Sequence, residues 1–97
     1  MKLIALTLLL AAATAHAEVP LSEAGKSVYE NNCITCHGPD MVNPGTVTYD
    51  LRKFPKDAKP RFLYSVMNGK GGMPAWKGTL KPEDVEALWA YVLTEGK

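Results

Sequence analysis

Cys33-Ile34-Thr35-Cys36-His37 is a C-x-x-C-H string, the spacing of a covalent haem attachment site. Two thiols three positions apart can reach the two vinyl groups on one edge of a porphyrin and form thioethers. The imidazole that follows the second thiol then stands under the iron as proximal ligand. The chain holds 2 Cys and 2 His, so Cys33, Cys36 and His37 use both thiols and one of the imidazoles. The rest of the chain is therefore read as packing for one haem c.

Other uses of the string are weaker. A thioredoxin-like redox pair belongs near a βαβ pattern, and none is visible. Structural zinc takes four ligands, commonly from two Cys pairs or a Cys and His set, and this chain has no second half to offer. A plain disulfide in an exported protein would leave the later loop around Met73 unexplained.

Residues 1–17 read as a cleaved secretory signal: Lys2, an apolar run interrupted by Thr7, and Ala15-His16-Ala17 as the cleavage site. The apolar run is shorter than the roughly 20 residues that span a bilayer. Removing 17 of 97 residues leaves an 80-residue domain, 18–97, and takes His16 with it. An exported protein in the bacterial periplasm suits the motif, because haem is attached there and loose thiols would be oxidised. One domain of this size is marginal without a staple, and a covalently held macrocycle is such a staple. Loss of Lys2 from the 11 basic residues balances the 10 acidic ones. That balance excludes nucleic acid as the expected partner.

Apolar periodicity predicts three helices, over 21–32, over 57 or 58 to 68, and over 82–93. Ser22 is the expected N-cap of the first. Gly25 shares a face with Val28 and Tyr29, and a glycine there suits a close crossing by another helix. In the second helix Pro60 falls in the first turn and Gly69 is the expected stop. The third begins at Pro82, with Lys81 a poor N-cap, and its apolar face is Val85, Leu88, Trp89 and Val92. Turn signals fill 38–56, a length expected to wrap the haem edge. Arg52, Lys53, Lys56, Lys59 and Arg61 form a basic cluster, in which Arg52 or Arg61 is the expected partner of a propionate.

The sixth position is either open, for a gas or peroxide, or closed by a side chain; with His16 gone, the candidates to close it are Met41, Met67 and Met73. Met41 is too near His37 in sequence to reach the other haem face, and Met67 belongs to a helical apolar stripe. Met73 follows Gly71-Gly72 and precedes Pro74, and is the expected ligand. A thioether favours ferrous iron and raises the reduction potential.

The chain resembles the small class I c-type cytochromes over nearly all of 18–97. The likeness rests on the C-x-x-C-H string closing the first helix, Gly71-Gly72-Met73-Pro74, and the final run Leu88-Trp89-Ala90-Tyr91-Val92. It implies an all-α cytochrome c fold, with three main helices and long loops wrapped round one covalent haem. It implies that Gly25 and Tyr29 of the first helix meet Leu88 and Tyr91 of the last. It implies that the carbonyl of Pro44, or of Pro39, accepts the Nδ1–H of His37. His/Met ligation, export and the absence of a membrane anchor lead to the expectation of a soluble, monomeric carrier that is not an enzyme, takes electrons from a dehydrogenase and passes them to an oxidase or another cytochrome. Asn43-Pro44-Gly45, Asp50-Leu51-Arg52 and Met73-Pro74-Ala75-Trp76 are similar to cytochromes that serve quinoprotein alcohol dehydrogenases. A small haem peroxidase or gas sensor with an open sixth site is the other class this sequence admits.

Overall fold

The computed structural model describes residues 19–45 and 47–97; the expected export segment, residues 1–17, lies outside them. Helix α1 is Leu21–Asn32, and a single turn, α2, follows at Ile34–His37. Helix α3 is Lys59–Asn68 and α4 is Pro82–Val92. Two 3-10 turns, Pro39–Met41 and Leu51–Lys53, punctuate the long loop between α2 and α3. No strand occurs among the described residues, only an isolated antiparallel bridge between Lys70 and Met73.

The ends of the helices follow local chemistry. Ser22 lies inside α1 rather than capping it. Pro20 holds the N-cap with no side-chain acceptor, and its carbonyl accepts the N–H groups of Glu23 and Ala24 at 2.9 and 3.2 Å. A proline loses nothing at that position, since its own N–H is absent. Helix α3 starts at Lys59, one or two residues later than the expected 57 or 58, with Pro60 in its first turn. At α4 the cap works in reverse: Lys81 supplies no acceptor, but the Asp84 carboxylate accepts the Lys81 backbone N–H at 2.9 Å.

Helices α1 and α4 share the most extensive contact, and α3 packs on α4. Gly25 is buried at the crossing. A Cβ built there would overlap the Ala87 carbonyl oxygen and lie 2.5 Å from its carbon and 3.0 Å from Tyr91 Cβ. The crossing predicted from the resemblance is thus present, with Ala87 and Tyr91 as the atoms met by Gly25. The rings of Tyr29 and Tyr91 sit beside it with centroids 5.2 Å apart. Phe62 and Val66 of α3, with Val85, Leu88, Trp89 and Val92 of α4, complete the core, and Phe54 packs edge-on against Phe62 and Trp89. Each such side chain contributes about 1.5–3 kcal/mol through burial.

After α3 the chain turns at Gly69, whose φ of +81° suits glycine. Lys70 and Met73 then exchange both backbone hydrogen bonds, at 3.1 and 3.0 Å, across Gly71-Gly72. Trp76 and Lys77 run back beside α3 and donate to the carbonyls of Val66 and Met67 at 3.0 and 3.1 Å. Those are carbonyls of the last helical turn, which has no partners of its own. The loop carrying Met73 is therefore fastened to α3 on both sides.

Candidate haem site

The helical path through α1 and α2 arranges the motif. Cys33 is the C-cap of α1, its N–H bonded to Tyr29 O at 2.8 Å, and its carbonyl accepts the His37 N–H at 3.0 Å. Positions three and four apart on a helix are neighbours, so Cys36 and His37 fall on the side of Cys33. All three line one cavity of about 560 Å³, within the roughly 300–1,000 Å³ usual for cofactor sites. Met73 lines the same cavity, brought there by the hairpin after α3. Much of the remaining wall is apolar or aromatic: Tyr29, Leu51, Phe54, Phe62, Val66 and Trp76. Of the other methionines, Met41 is 1% exposed in the core and Met67 packs against the core, and neither lines the cavity.

Burial and electrostatics differ across the motif. Burial, helped by the nearby Cys36, pushes the Cys33 thiol up to about 11. Burial also lowers the pKa of His37, against the upward pull of a carbonyl that accepts from its ring. The neutral imidazole favoured by that burial is the form that binds a metal.

That carbonyl belongs to Tyr49, whose oxygen lies 3.2 Å from His37 Nδ1. This corrects the sequence-based expectation of Pro44 or Pro39. Any backbone carbonyl can accept the bond, so residue type gave no signal for Tyr49. The fold also separates the two arginines of the basic cluster. Arg52 does not line the cavity; its guanidinium makes two bonds, at 3.0 and 2.9 Å, to the Asp50 carboxylate on the surface. Arg61 does line the cavity, its guanidinium carbon 4.7 Å from the centre of the Phe54 ring. Lys56 and Lys59 are paired with Glu95 and Glu86 at 3.0 and 2.7 Å.

Two thiols, one imidazole and one thioether on a single cavity walled by aromatic and aliphatic side chains fit the donor set of a c-type haem. The protein thus falls in the class of haem-based electron carriers. The family model described as cytochrome C oxidase, cbb3-type, subunit III matches residues 20–92. Cytochrome c6 of Microcystis aeruginosa is 38% identical over 77 residues, covering 75% of this chain and 95% of the relative. Cytochrome c6 of Tetradesmus obliquus is 41% identical over 80 residues, covering 70% of this chain and 83% of the relative. The structure of cytochrome c6 from the diatom Phaeodactylum tricornutum superposes with a TM-score of 0.59 at 26% identity, over 77% of this chain and 93% of that one. The chain belongs to the small class I monohaem c-type cytochromes, with their all-α cytochrome c fold. As such it carries one covalently bound c-type haem and transfers electrons to and from redox partners rather than acting as an enzyme. Among the described residues no helix is long and apolar enough to cross a membrane.

Proposed function

We propose that this chain is a periplasmic electron carrier in which Cys33 and Cys36 would hold the haem by thioethers and His37 and Met73 would ligate its iron. The observation that carries the reading is the convergence of these four side chains on one cavity from segments 36 residues apart. Bound there, the haem supplies a reversible one-electron couple at iron. The chain's own work is to wall that cavity with aromatic and aliphatic side chains and to hold Met73 in its double-bonded turn. Arg61, which with Lys70 lines the cavity, would meet a propionate. Residues 1–17 direct export and are removed.

The donor is a periplasmic dehydrogenase, of the quinoprotein alcohol dehydrogenase kind, and the acceptor an oxidase or another cytochrome. The segment around Met73 supports this reading: Lys70 and Pro74 line the cavity, and along the chain the exposed Lys70 and Lys77 flank the small, uncharged, exposed Pro74 and Ala75. Charges at such a rim act mainly on the association rate. Reduction of the holoprotein by a quinoprotein alcohol dehydrogenase is expected to be fast and to slow as salt screens the contact. The double substitution Lys70→Glu and Lys77→Glu is expected to slow it further without changing the absorption spectrum. Turnover of peroxide by five-coordinate iron, with no reoxidation by membrane oxidases, would replace the carrier reading.

A further inference from the structure

The bond from His37 Nδ1 to the Tyr49 carbonyl reaches from α2 into the long loop, just ahead of the 3-10 turn Leu51–Lys53. A single partly exposed hydrogen bond competes with water and fixes little by itself. The surroundings show what fixes this one. The Thr48 hydroxyl donates to the Cys36 carbonyl at 2.8 Å. Two consecutive residues of the motif, Cys36 and His37, are thus tied to two consecutive residues of the loop, Thr48 and Tyr49. The Cys36 carbonyl lies in the short turn α2, so the hydroxyl ties the loop directly to the motif.

Asn43 stands behind Thr48. Its Nδ2 donates to the Thr48 carbonyl at 2.8 Å and to Thr48 Oγ1 at 3.3 Å, while its Oδ1 accepts the Gly45 N–H at 2.9 Å. Thr48 is thus held from both sides: its carbonyl and hydroxyl by Asn43 on the loop side, and its hydroxyl by the Cys36 carbonyl on the motif side. On its far side the Tyr49 hydroxyl donates to the Lys53 carbonyl at 3.2 Å. The carbonyl that faces His37 is therefore gripped before and after.

We propose that Thr48, steadied by Asn43, is a positioning residue for His37: it holds the Tyr49 carbonyl against Nδ1–H and thereby sets the reduction potential. The proposal rests on the reading of His37 as the proximal ligand. An acceptor on the distal ring nitrogen fixes the tautomer and raises the basicity of the ligating one. A more basic imidazole favours ferric iron, and hydrogen bonding around the ligand is one of the levers on a haem potential. When the clip is released the carbonyl drifts, the imidazole becomes a weaker donor, and the potential rises.

The test is the midpoint potential of the haem-loaded protein, by spectroelectrochemistry, for Thr48→Val, Thr48→Ser, Asn43→Ala and His37→Ala. Thr48→Val keeps the shape and removes the hydroxyl. It is expected to shift the ferric-to-ferrous balance about tenfold toward ferrous, which is about 59 mV for one electron. Thr48→Ser keeps the hydroxyl and should return the wild-type potential, and Asn43→Ala should raise it in the direction of Thr48→Val. An unmoved potential in Thr48→Val, or an equal shift in Thr48→Ser, overturns the positioning role. If Thr48→Val yields no loaded protein, an unmoved potential in Asn43→Ala does the same. His37→Ala separates this failure from a wrong ligand: a wild-type spectrum there removes the ligand assignment itself. An altered spectrum there, with Thr48→Val unmoved, removes only the clip.

Discussion

Replacing Gly25 by Ala sets two effects of known size against each other. In an open helix the change should stabilise, because glycine costs about 1 kcal/mol relative to alanine. At this crossing the new methyl would overlap the Ala87 carbonyl oxygen and lie 2.5 Å from its carbon. Those are backbone atoms, and Tyr91 Cβ, 3.0 Å away, is tied to the backbone as directly. No rotamer change clears them. Restoring ordinary carbon contacts of about 3.5–4.0 Å means moving α4 away from α1 by about 1 Å or more. That motion loosens the pair Tyr29 and Tyr91, now with ring centroids 5.2 Å apart. Overpacking of this kind costs about 1–3 kcal/mol, and an unyielding backbone places it at the upper end. Setting about 3 against the gain of about 1 leaves a net loss of about 2 kcal/mol. For a domain of this size that is a fall in melting temperature of about 8–16 °C. The assay is thermal unfolding followed by far-ultraviolet circular dichroism, with wild type and variant loaded equally with haem. An unchanged or higher melting temperature would refute the crossing as described.

Met73→Ala should abolish the weak near-infrared sulfur-to-iron band of the ferric protein and open the iron to carbon monoxide, while Met67→Leu and Met41→Leu should leave both alone. Extraction of the acid-denatured holoprotein with organic solvent should leave the haem on the chain, and free haem in the solvent would contradict attachment at Cys33 and Cys36. The two paired tyrosines, Tyr29 and Tyr91, should respond differently to loss of the hydroxyl. Tyr29→Phe strands the buried Gly38 carbonyl that now accepts its O–H, and should cost about 1–3 kcal/mol in denaturant unfolding. The buried Tyr91 hydroxyl has no hydrogen-bond partner among the described residues, so Tyr91→Phe should be neutral or stabilising by up to about 1–3 kcal/mol.

The sequence alone determined the helices and the donors at the cavity. Periodicity marks α1, α3 and α4 to within a residue or so, because an amphipathic helix carries its burial pattern in its spacing. The motif names its own chemistry, since two thiols and an imidazole at that spacing suit little else. Met73 could be singled out by elimination among a few methionines, and the fold brings it to the cavity that the motif lines. Gly25 could be singled out because a helix seldom tolerates glycine without a reason, although the atoms it meets, those of Ala87, could not be named. What the tertiary structure alone decided concerns contacts between distant segments and contacts made by the backbone. Arg52 and Arg61 are the same side chain to the sequence; the fold sends one to Asp50 and the other to the cavity wall. The acceptor for His37 is a main-chain carbonyl, a group that every residue carries, so Tyr49 could be found only by seeing which carbonyl the loop brings within reach. Thr48 and Asn43 read as ordinary turn residues for the same reason: their role lies in closing a loop, and loop closure leaves no periodic trace.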